Sequence, residues 1–397
     1  MEVDLMLTCL RLMLLSLLGA SLFWLSTEIA CAKPPSLIEM KTEETVFVGK
    51  SIAHNADVSW MMDQSGMLSE VALKKVTSFR RVASEFQKLP LNKMKMQLQN
   101  EFGPLYEIIS TRHYVICAPR GKAKAYGGVF EDLYESFSHY FALRGYQVKA
   151  PEFLMVAVIF PDQSQFFDYC KKDGVRAGQG LLGYYHPHTN RTALFDQATA
   201  TAQEDSDQNE TQLVYSRVSA EGKDMAEALR DTMIHEATHQ VAFNTGLHTR
   251  IGENPRWVVE GLATTFESDE LRSHTGGSTN SLSRINRNRL IWFVNYSRTR
   301  REKASLRNFI RSDALFRSST LDAYAEAWAL TFFLVETQPA RYSRYLQSIS
   351  ERDPLQEYSA DAREDDFKKA FKTNIRTLEV DYLKFVDQLT AELVQQN

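Results

Sequence analysis

A two-lobed α+β fold is expected from three features of the sequence. Short apolar runs separated by turn residues fill positions 43–76. Strand-like and helix-like stretches alternate from Tyr106 to Asp196. Beyond position 222 the chain is almost wholly helix-patterned. The upper lobe is then a mixed β-sheet, the C-terminal lobe is helical, and a small β-meander precedes both.

With 397 residues, 44% hydrophobic and 24% charged, the chain can bury a sizeable core as one large or two medium domains. The expected division is a targeting segment at 1–32, a meander plus helix at 33–102, an α/β unit at 103–246 and a helical unit at 247–397. A net charge of −4 supplies no basic field, which excludes nucleic acid as a partner. The run LMLLSLLGASLFWL (12–25) suits the h-region of an export signal and falls short of the roughly 20 residues of a spanning helix. Ala30-Cys31-Ala32 offers a cleavage site. The protein is therefore expected to be exported (periplasmic, cell-envelope or extracellular), touching a membrane only through this segment if it is not cleaved. Removing it leaves two cysteines, Cys117 and Cys170, either paired or buried as thiols.

In the meander, TVFVGKSIA (45–53), DVSWMM (57–62) and LSEVAL (68–73) are the strands, with turns at Asn55-Ala56 and Gln64-Ser65-Gly66. Helix-forming composition fills 77–102, interrupted at Pro90. TRHYVICA (111–118) reads as a strand. Val129, Phe130, Leu133, Tyr134, Phe137, Tyr140 and Phe141 form a helical stripe that ends at Gly145. The continuous apolar run FLMVAVIF (153–160) marks a strand buried on both faces. A helix follows Pro161-Asp162, and LLGYYHPHTNRTALF (181–195) reads as a hairpin turning at Pro187–Asn190. Residues 197–221 are acidic, polar and loop-like. The clearest helices are 222–244, 255–268, 284–299, 322–336 and 365–394.

The chemistry lies in His235-Glu236-Ala237-Thr238-His239, within the first of these helices. Positions four apart on an α-helix differ by about 40° and rise about 6 Å, so both imidazoles can reach one ion. Glu236, about 100° round, is badly placed as a ligand and well placed to touch water beside the ion. The helix runs out at Asn244-Thr245-Gly246, and Asn254-Pro255 reads as the N-cap and first residue of the next one. A helical hairpin of this length can fold Glu260 back beside His239 as a third ligand. Three protein ligands with an open fourth position make a catalytic zinc site.

HEATH (235–239), followed by WVVEGLATTFE (257–267) with Glu260 twenty-one residues after His239, resembles the gluzincin zinc peptidases. The similarity is closest to peptidase-MA-like proteins and an allied uncharacterised family of exported bacterial proteins. It extends at pattern level through TRHYVICAPRGKAKAYGGVFEDLYESFSHYF (111–141) and YAEAWALTFFL (324–334). The resemblance implies a zincin-like fold and a zinc metallopeptidase holding one Zn2+ on His235, His239 and Glu260. In that reading Glu236 is the general base and Tyr324 the donor to the developing oxyanion. Glu267, on the same face as Glu260, is expected to accept a hydrogen bond from a ligand histidine. No G-x-M-E-N-like exopeptidase segment is present, so an endopeptidase acting on peptide or protein is expected. A catalytically silent scaffold and a zinc amidohydrolase cleaving a cell-wall amide are the alternatives. His186 and His188 flank Pro187 and read as a loop. Arg298, Arg300, Arg301, Lys303 and Arg307 read as a solvated basic face.

Overall fold

A computed structural model describes residues 34–178, 180–196, 225–268 and 281–396. The expected targeting segment and the acidic stretch at 197–221 lie outside the described residues. The fold is α+β: an N-terminal antiparallel sheet, a second, mixed sheet, and a helical C-terminal region.

Strands β1 (Leu37–Lys41), β2 (Val46–His54), β3 (Val58–Met62), β4 (Leu68–Ala72) and β5 (Ser78–Ala83) form the first sheet, in the order β4-β3-β2-β1-β5. Strand β5 corrects the helical expectation over 77–102. It pairs antiparallel with β1, and Arg80 forks onto the Glu39 carboxylate at 2.7 and 2.8 Å. All six β5 residues are exposed, so no alternation of burial marks it as a strand. The helix itself, α1 (Leu91–Phe102), starts straight after Pro90. Its Met94 and Leu98 pack into the core of the second sheet, so α1 sits with the upper lobe rather than the meander.

The second sheet contains β6 (Tyr106–Ser110), β7 (Tyr114–Pro119), β8 (Met155–Phe160), β9 (Gly183–His186) and β10 (Arg191–Phe195), ordered β6-β7-β8-β10-β9. The three central strands are parallel and both edges antiparallel. Every residue of β8 is buried, as its unbroken apolar run requires. One face packs on α2 (Ala123–Leu143) and α4 (Met225–Asn244), the other on α1 and α3 (Gln163–Lys172). Cys117 and Cys170 lie on that second face as free, buried thiols, and burial pushes them up to about 12 and about 11. Asn190 is only 3% exposed and exchanges hydrogen bonds with Asn244, which closes its N-x-T triplet to glycosylation in the folded chain.

The meander braces the hairpin turn. Leu68 N–H donates to His188 O at 2.8 Å, and Trp60 packs against the His188 ring at 4.9 Å. From the loop that follows α4, Arg250 donates to Gly66 O and Pro187 O at 2.7 and 2.8 Å. His188 thus belongs to a packed turn, as expected, while His186 is the last residue of β9 and pairs with Arg191.

The helical lobe comprises α5 (Arg256–Phe266), α6 (Arg287–Thr299), α7 (Leu306–Arg311), α8 (Ala314–Ser318), α9 (Thr320–Thr337), α10 (Pro339–Ser350), α11 (Ala360–Phe371) and α12 (Ile375–Gln396). Helix α9 is its hub and is buried nearly all round. The single helix expected over 365–394 is two, because Lys372 turns left-handed (φ 50°) and closes α11. The basic cluster is solvated as expected at Arg298, Arg300, Lys303 and Arg307, with Arg300 pairing with Asp322 and Arg307 with Glu364. It is corrected at Arg301 alone, whose side chain is only 3% exposed and wedged between Glu326 and Glu379. Among the described residues, no helix is long and apolar enough to cross a membrane.

Candidate metal centre

Helix α4 lies beneath the second sheet because its apolar face, Met233, Ile234, Ala237 and Val241, joins the α2 core. Gln240 then locks its position. It accepts from Thr192 Oγ1 at 3.0 Å and donates to Val156 O and Asn190 O at 3.0 and 2.9 Å. These bonds fix the helix one residue past His239. The helix ends where Gly246 takes φ +85°, a conformation that favours glycine.

The return helix α5 starts differently from the sequence reading. Asn254 does not cap it; its side chain accepts from Thr249 N–H and donates to Thr249 O, folding the connecting loop. The free first-turn N–H of Arg256 is instead taken by Asp313 Oδ1 at 3.0 Å, from the α7–α8 junction. Packing beside Glu260 demands glycine. A Cβ on Gly261 would lie 2.5 Å from Ala327 O and collide with Thr331 Oγ1 of α9. Alanine would gain about 1 kcal/mol of helix propensity, less than the cost of pushing two helices apart. Gly261→Ala is therefore expected to lower Tm by several degrees and to reduce the metal content of the purified protein, measured by thermal melts and elemental analysis.

The three expected ligands converge. His235 Nε2 and His239 Nε2 are 3.1 Å apart, and Glu260 Oε2 stands 3.4 Å from the first and 3.5 Å from the second. The corners of such a triangle lie about 1.9 Å from its centre, so an ion just off its plane meets all three at the roughly 2.0–2.1 Å that zinc takes. Glu260 Oε2 is also buried without a hydrogen-bond partner, a costly state that an ion relieves. Among the described residues, these three form a group that can hold a metal ion.

The other predicted residues surround this triangle. Glu267 Oε1 lies 2.9 Å from His235 Nδ1. A carboxylate only accepts, so Nδ1 carries the proton and the neutral ring keeps its Nε2 lone pair for the ion. Glu236 is partly exposed on α4, and no described residue hydrogen-bonds its carboxylate. The Tyr324 ring, on α9, centres 6.4 Å from the His235 ring.

Burial by itself would lower the His235 pKa, but the Glu260 and Glu267 carboxylates raise it well above its ordinary value. Burial would raise Glu260, yet the two facing imidazoles hold it well below the usual carboxylate range. Glu267 is held down at about 2: Arg289, His235 and Asn286 together outweigh its burial.

Two residues of the site were not legible in sequence. Asn286 Nδ2 donates to Glu267 Oε2 at 2.7 Å, and Arg289 Nη2 lies 3.5 Å from Glu267 Oε1. Asn286 also caps its own helix, accepting from Arg289 N–H at 3.2 Å, inside the segment 284–299 that the sequence marked only as helical.

Fold and site together define an α+β protein whose sheet-packed helix and helical lobe share one metal-competent cluster. A family model described as "Protein of unknown function (DUF1570)" matches residues 230–356. That span is roughly a third of the chain and takes in His235, Glu236, His239, Glu260, Glu267 and Tyr324, leaving both sheets outside. No curated protein matches the chain.

Proposed function

We propose that this protein is an exported, gluzincin-type zinc metallopeptidase that cleaves within extended peptide chains. The observation that carries this reading is the convergence of His235 Nε2, His239 Nε2 and Glu260 Oε2 to mutual distances of 3.1–3.5 Å, with Glu236, which no described residue hydrogen-bonds, next to His235 on the helix. Export rests on the apolar run at 12–25 and the Ala30-Cys31-Ala32 site.

His235, His239 and Glu260 would hold the zinc, which would supply Lewis acidity for a scissile carbonyl and a bound water. Glu236 takes the proton of the attacking water and delivers it to the leaving amine nitrogen. The Tyr324 hydroxyl donates to the carbonyl oxygen as it gains negative charge. Glu267 holds the Nδ1 proton of His235, so the ring neither flips nor exchanges its tautomer during turnover. Strand β9 is the antiparallel edge of the second sheet and pairs with β10 on one side only among the described residues. An extended peptide can add to its other side, which suits internal cleavage.

The test is a peptide-library digest by the mature, zinc-loaded protein, with cell-wall fragments in parallel. Internal peptide cleavage that stops on chelation and returns with zinc is the expected result. Cleavage confined to the cell-wall amides, or none of either substrate by the zinc-loaded protein, overturns the peptidase reading.

A further inference from the structure

A guanidinium stands between the two halves of the candidate site. Arg289 Nη2 is 3.5 Å from Glu267 Oε1, the oxygen that accepts from His235 Nδ1. The same guanidinium carbon lies 5.4 Å from the centre of the Tyr324 ring. The Arg289 side chain is only 14% exposed, so both contacts form largely out of water. Asn286 holds the other Glu267 oxygen and caps the helix turn from which Arg289 projects. The first turn of α6 therefore grips Glu267 by both oxygens while it lies against Tyr324 of α9.

Resting on the metallopeptidase reading above, we propose that Arg289 is a positioning residue that ties the seat of His235 to the seat of Tyr324, so that metal affinity and the orientation of the tyrosine depend on one side chain. The chemistry favours arginine for this post. Its planar fork can face a carboxylate at its edge and an aromatic ring on its face at once, whereas an ammonium is a compact, strongly hydrated point charge. Without Arg289, Glu267 Oε1 keeps only the imidazole among the described residues, and the carboxylate can swing about its bond to Asn286. Groups that orient a ligand histidine in this way are typically worth about 10–100-fold in metal affinity.

The experiment is competition of the full-length protein with a chromophoric zinc chelator, for wild type, Arg289→Met, Glu267→Gln and the double variant, with Tm recorded for each. Each single variant is expected to bind zinc about 10–100-fold more weakly, and the double variant no more than about twofold more weakly than Glu267→Gln. With zinc saturating, Arg289→Met should lower kcat more than it raises KM, and adding Tyr324→Phe should slow it little further. Should Arg289→Met fold poorly, Arg289→Lys replaces it, with a smaller loss of zinc affinity expected and the same loss of kcat. Wild type that binds zinc alongside an Arg289 variant of equal affinity, or fully additive effects, overturns this inference alone. Wild type that binds no zinc overturns the metallopeptidase reading with it.

Discussion

Glu236→Gln is expected to keep one zinc per chain and to lose peptide hydrolysis by roughly 10³-fold or more. Glutamine preserves the shape of the side chain but can no longer accept the proton of the attacking water. The Glu236 carboxylate is not a ligand in the triangle, and no described residue hydrogen-bonds it, so its replacement leaves the ligands in place. The measurement pairs elemental analysis with kcat on the best library peptide. A variant that retains zinc and more than about a tenth of wild-type kcat would show that another group moves the proton.

Glu260→Gln acts one step earlier and should empty the site. The variant puts a neutral amide where Oε2 faces two imidazole nitrogens at 3.4 and 3.5 Å. Spreading the about 10–16 kcal/mol of a tight zinc site over four ligands gives on the order of 3 kcal/mol for each, or a 10²–10³-fold loss of affinity. His239→Ala should do the same. Acidification should mimic both in the wild type. His235 must give up its proton to ligate, and the two carboxylates beside it favour the protonated ring. Zinc affinity is therefore retained above the His235 pKa and lost as pH falls through it. Chelator competition at several pH values measures this, and an affinity that holds steady or rises on acidification contradicts the ligand assignment.

Much of this was legible because local signals and burial agreed. The run 153–160 is buried along every residue of β8, and the turn signals at Pro187–Asn190 and Gly246 fall where the chain reverses. The spacing of His235, Glu236 and His239 on a helix carried the site, since helical geometry alone brings the two imidazoles together. Other features depend on contacts that no local pattern reports. Strand β5 owes its structure to pairing with β1 rather than to a buried face. Arg301 reads as a surface cation until Glu326 and Glu379, far along the chain, enclose it. Asn254 has the composition of a cap but spends its side chain on Thr249, while Asp313 fills the role from another element. Arg289 and Asn286 follow Glu267 by about twenty positions, and only the packing of α6 against α9 turns them toward the site.

The most direct test of the central claim is a crystal structure of the zinc-loaded protein with anomalous data collected on both sides of the zinc absorption edge. One anomalous peak is expected, about 2.0–2.1 Å from His235 Nε2, His239 Nε2 and Glu260 Oε2, with its fourth side open toward Glu236. No peak at that triangle, or a fourth protein atom closing the open side, contradicts it.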